Sequence, residues 1–71
     1  MTKSEKDRFL KALGQKVDKI RKEKKLSFGE LAFRAEMEKA NVVRLTKGAN
    51  VTSLTLHKIA NALGVSVKDL F

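Results

Sequence analysis

Leu10, Leu13, Val17 and Ile20 recur at intervals of 3, 4 and 3 residues. That spacing lays an apolar stripe along one face of a helix. The pattern predicts a helix from Ser4 to about Lys24. Ser4 with Asp7 resembles an N-terminal cap, and Glu5 and Asp7 set negative charge at the positive end of the helix dipole. Phe9 falls beside the stripe and is expected to pack under the chain terminus. Gly14 lies inside the helix at a cost of roughly 1 kcal/mol relative to alanine. Close approach of another helix is the compensation expected there.

The next apolar set is Phe28, Leu31, Ala32 and Ala35, spaced i, i+3, i+4, i+7. It predicts a short helix over about 28–35. Leu26 turns the chain inward before it. Ser27 and Glu30 form a capping box, in which each side chain takes the other's backbone N–H. A tight turn with Met37 filling its gap leads to a further helix over about 39–46. Val42 and Leu45 point inward from that helix and Gly48 stops it. Thr52 or Ser53 caps a helix to Leu63, with Leu56, Ile59, Ala60 and Leu63 as its stripe and Gly64 as its end. Ser66 and Asp69 cap a last helical turn. Val65, Val67, Leu70 and Phe71 there either close the base of the core or form a self-association surface. The chain reads as all-α, a single domain over 1–71.

One helix face stands out against this pattern. Lys39, Asn41, Arg44 and Lys47 carry donors on the exposed side of the 39–46 helix, and none is acidic. Such a face suits the major groove of duplex DNA, where it meets phosphates and base edges. The 28–46 segment therefore reads as a helix-turn-helix, whose first helix braces the second.

Composition agrees with a polyanion partner. The 71 residues carry a net charge of +8, a basic balance that nucleic acid attracts, as anionic membranes and acidic protein surfaces also do. Arg21-Lys22-Glu23-Lys24-Lys25 has two readings. It is a solvated helix end offsetting the dipole, or a phosphate-contacting patch led by Arg21. Asn50 likewise either bonds its own turn or reaches a phosphate or base. There is no cysteine, so disulfides and thiolate metal sites are excluded. His57 has no partner at metal-ligand spacing and is expected on the surface. No catalytic pair, metal or cofactor is expected. No 18-residue apolar run or secretory signal is seen. The expected location is a reducing cytoplasm, in association with the nucleoid.

Four motifs in order resemble the phage repressor and Cro-like helix-turn-helix family: Leu-Gly-x-x-Val-x-x-Ile-Arg at 13–21, Leu-Ser-x-x-Glu-Leu-Ala at 26–32, Val-x-x-Leu-x-x-Gly at 42–48, and Thr-Leu-x-Lys-Ile-Ala-x-Ala-Leu-Gly-Val at 55–65. Leu-Ala-Phe-Arg at 31–34 matches short controller proteins of restriction–modification systems, and single-domain antitoxins are nearly as similar. The resemblance implies a compact five-helix bundle and a homodimer on a palindromic operator. It places base contacts at Lys39, Ala40, Asn41 and Arg44, with Val43 facing a thymine methyl. Phosphate contacts fall on Phe28, Lys47 and Asn50. Three positions depart from the family pattern. Phe28 stands where glutamine is frequent. Glu36 stands where a left-handed backbone favours glycine. Glu38 replaces the usual capping serine or threonine.

The function implied is a sequence-specific regulator of transcription, a repressor or autoregulator, acting on double-stranded DNA. The alternative is an antitoxin or adaptor that works through protein–protein binding, with a toxin as one partner and Phe28, Phe33 and Phe71 as its anchors.

Overall fold

The computed structural model describes residues 1–71. Its elements are α1 (Lys3–Glu23), α2 (Phe28–Ala35), α3 (Lys39–Thr46), α4 (Ser53–Leu63) and a terminal 3-10 helix (Val67–Leu70). The expected five-helix count is thus corrected to four α-helices and one 3-10 turn. Four residues are too few to sustain an α-helical hydrogen-bond ladder, and the tighter form is the usual outcome in so short a piece.

The apolar stripes of all four α-helices meet in one core. Leu13, Val17 and Ile20 of α1, Leu31 and Ala35 of α2, Val42 and Leu45 of α3, and Ile59 and Leu63 of α4 are buried together with Leu26 and Leu70. Met37 packs against this core from the turn between α2 and α3. Val65, Val67 and Leu70 close the base, as one of the two readings of the chain end required. Phe71 stays 60% exposed. Its ring stacks on Phe9 of α1 with centroids 5.4 Å apart.

The first cap differs from the sequence reading. Thr2, not Ser4, is the N-cap of α1, and its partner is Glu5. The Thr2 hydroxyl accepts the Glu5 N–H at 3.1 Å. Thr-x-x-Glu is a complete capping box, and with α1 starting at Lys3 Ser4 already lies inside the helix. Thr52 caps α4. Gly14 confirms the expected close approach. A Cβ there would meet the backbone oxygens of Leu45 and Thr46, the latter at 2.7 Å. α1 therefore lies directly on the C-terminal end of α3.

Candidate nucleic-acid interface

The interface is built on α2, which fixes α3. Ser27 donates its N–H to Glu30 Oε1 at 2.9 Å, and its hydroxyl accepts the Glu30 N–H at 3.0 Å. The Ser27 N–H holds the Glu30 carboxyl below its ordinary range.

Arg21 ties α1 to the same junction. Its Nε and Nη2 donate to Asp18 Oδ1 at 3.0 and 2.8 Å. Its Nη1 donates to the Leu26 carbonyl at 2.7 Å. The guanidinium also lies 4.0 Å over the ring of Phe28. Lys22 Nζ is 3.1 Å from the other oxygen of Asp18. The hydrogen bond from Arg21 is the main reason the Asp18 carboxyl is held below its ordinary range. The side chain of Arg21 is only 11% exposed. Of the five residues 21–25, Arg21 folds back onto the chain while Lys22, Glu23, Lys24 and Lys25 stay exposed. Sequence reasoning missed Lys25, which adopts a left-handed φ of 57°. No glycine marks that position, so residue type gave no signal.

The turn between α2 and α3 has the geometry expected of it. Glu36 is left-handed, with φ 54° and ψ 47°. Glu38 is the N-cap of α3 but makes no side-chain cap hydrogen bond. Its carboxylate leaves the first amides of α3 without a side-chain partner.

Val42 and Leu45 anchor α3 in the core, which sets the rest of the helix outward. Lys39, Ala40, Asn41, Arg44 and Lys47 are exposed, and Val43 is half-buried. Arg44 Nη1 donates to Asn41 Oδ1 at 2.7 Å. Arginine can only donate, so Asn41 must accept through its oxygen and keep its NH2 free. Asn41, Arg44, Asn50 and Thr52 border one shallow depression. Asn50 is exposed and makes no side-chain hydrogen bond within the chain. Phe28 is half-buried beneath Arg21 at the start of α2, so its exposed donor inventory is backbone alone. From Lys39 to Lys68 the chain contains no Asp or Glu. Within that run α3 and its following loop carry only positive side-chain charge, with Glu36 and Glu38 just ahead of it.

Two further predicted positions are resolved. His57 is exposed. Phe33 is 85% exposed. No helix is long and apolar enough to cross a membrane.

Residues 16–71 match the family of the Cro/C1-type HTH DNA-binding domain. Among solved structures, the chain is similar to the restriction-modification controller protein C.AhdI from Aeromonas hydrophila. The two are 32% identical with a TM-score of 0.86, over 87% of this chain and 96% of that one. Comparison with curated protein sequences gave no match.

Proposed function

This chain belongs to the Cro/C1-type helix-turn-helix DNA-binding family and is a DNA-binding regulator of transcription; from that premise we propose that it is a repressor or autoregulator that binds a palindromic operator as a homodimer. The observation that carries the reading is the exposed face of α3, where Lys39, Asn41, Arg44 and Lys47 stand without an acid. Lys39, Ala40, Asn41, Val43 and Arg44 meet base edges in this reading. Lys47, Asn50 and the backbone N–H of Phe28 meet phosphates. The free side chain of Asn50 supports its part. Arg21 contributes chiefly by bracing, because its donors are engaged with Asp18 and Leu26.

Scale supports the dimer. An eight-residue helix spans only a few base pairs, and helix-turn-helix proteins gain length of site by placing two copies about one helical turn apart. The likeness to a restriction-modification controller supports control of such a gene cluster, with the protein's own concentration as the signal.

Selection from random duplexes at near-physiological salt tests the proposal. Enrichment of a two-fold-symmetric site is expected. Binding that enriches nothing and vanishes as salt rises would leave only non-specific attraction.

The second reading is a protein-binding role, as antitoxin or adaptor. It is favoured by Phe33, whose ring is almost wholly in solvent. Co-purification of an untagged product of the adjacent gene, lost in Phe33→Ser, is its test.

A further inference from the structure

The N-terminal turns of α1 lie outside the stretch that matches the family, which begins at residue 16. They run past the end of α3. A Cβ on Gly48 would meet Lys11 Cγ at 2.9 Å and the Lys11 backbone at 3.5 Å. Gly48, at φ 98°, thus lets the stem of Lys11 lie against the loop that leaves α3. Lys47 precedes that glycine and Asn50 follows it by two residues. Both are exposed, and so are Lys11 and Arg8. Arg8 stands one turn before Lys11 on the same side of α1. Asp7, four residues before Lys11, and Glu5, three before Arg8, are the acids on that side. The ion pairs of the molecule are Arg21–Asp18 and Lys22–Asp18; neither Lys11 nor Arg8 forms a direct pair with these acids, and both ends stay free to meet a phosphate.

We propose that Lys11, seconded by Arg8, is an additional phosphate-contacting site on the DNA backbone, set beside Lys47 and Asn50 by its packing on Gly48. The inference rests on the DNA reading above and extends it to a segment that reading does not use. Lysine suits the role because its ammonium is a compact charge on a long flexible stem. A phosphate within reach of Lys47 or Asn50 lies close to the loop that Lys11 crosses. Contacts of this kind add affinity on every sequence and no base preference.

The test is the salt dependence of binding. The probes are a random-sequence duplex of about 30 base pairs, roughly three helical turns, and the duplex enriched by selection. For Lys11→Gln, the slope of log affinity against log salt is expected to fall by about one on both probes. Adding Arg8→Gln lowers it further, and Lys11→Arg restores it. Lys6→Gln is the control for net charge. It removes the same charge from the same segment, roughly 140° round the helix from Lys11, and is expected to leave the slope near its starting value. An unchanged slope in Lys11→Gln, or an equal fall in Lys6→Gln, overturns the site. If the unsubstituted protein binds neither probe, the DNA reading itself fails. If it binds and Lys11→Gln retains its slope, only this contact fails.

Discussion

The guanidinium of Arg21 lies 4.0 Å above the ring of Phe28, so the end of α1 covers the first residue of α2. The same group bonds Asp18 and the Leu26 carbonyl. One side chain therefore closes the loop between the two helices from three directions. Arg21→Ala removes charge-assisted bonds and a stacked contact together, and is expected to cost about 1–3 kcal/mol. Arg21→Lys should recover little, since an ammonium cannot keep the planar fork and the stack at once. Urea denaturation of the three proteins measures both; full recovery by lysine would show that charge alone matters there.

Glu36 holds a left-handed backbone at φ 54° without being glycine. Left-handed geometry costs a residue with a Cβ roughly 1–2 kcal/mol. Glu36→Gly relieves that strain and is expected to raise the thermal midpoint. A lower midpoint would mean that the Glu36 side chain makes a contribution larger than the strain.

Gly14→Ala should act in the opposite direction to helix propensity. Alanine is the better helix former by roughly 1 kcal/mol. Its methyl group would press into the carbonyl oxygens of Leu45 and Thr46, and backbone cannot yield as a flexible side chain can. A net loss of about 1–3 kcal/mol is expected, read by calorimetry. The end of α3 moves with that clash, so DNA affinity should fall as well.

Asp18, Glu30 and Asp69 all have carboxyls held below their ordinary range. The main causes are the hydrogen bond from Arg21 for Asp18 and the backbone N–H groups of Ser27 and Ser66 for the other two. A depressed folded-state pKa gives stability that is fully present above the unfolded value and is lost as pH falls through the folded one. Stability should therefore be flat with respect to these groups at neutral pH and decline below about pH 4. Thermal midpoints between pH 7 and pH 2 would show it, and Asp18→Asn should flatten part of the decline.

Arg44 on α3 and Lys47 at its C-cap have different expected signatures. Arg44→Ala should cost roughly 1–3 kcal/mol on the selected site and much less on random duplex, as loss of a guanine contact would. Lys47→Ala should weaken all duplexes alike and lower the salt slope by about one. Equal losses on both probes for Arg44→Ala would reassign it to phosphate.

The helices and their buried faces were legible because each stripe follows the helical period. Leu13, Val17, Leu31, Val42, Leu45 and Ile59 lie in the core the spacing assigns them to. The left-handed turn at Glu36 was legible only by resemblance, since nothing about glutamate asks for it. The role of Arg21 was not legible. Among the cations of residues 21–25, the one that folds back is decided by where the Leu26 carbonyl and the Phe28 ring come to rest. The placement of Lys11 against Gly48 was hidden for a similar reason, because they stand 37 positions apart in the chain. The 3-10 form of the last turn depends on a length limit that the Ser66 and Asp69 cap does not reveal.

The 2.7 Å bond between Arg44 and Asn41 limits what the proposed recognition surface can say. An asparagine reads adenine with its oxygen and its NH2 together, and here the oxygen is engaged. One lone pair of that oxygen remains, yet the pair presents mostly donors to the groove, which favours the acceptor-rich edge of guanine over adenine. The two side chains thus choose their bases jointly. Replacing Arg44 frees the Asn41 oxygen and changes the preference of a residue that was not altered. Operator drift in relatives with this pair would be expected to occur at two adjacent positions at once rather than one at a time.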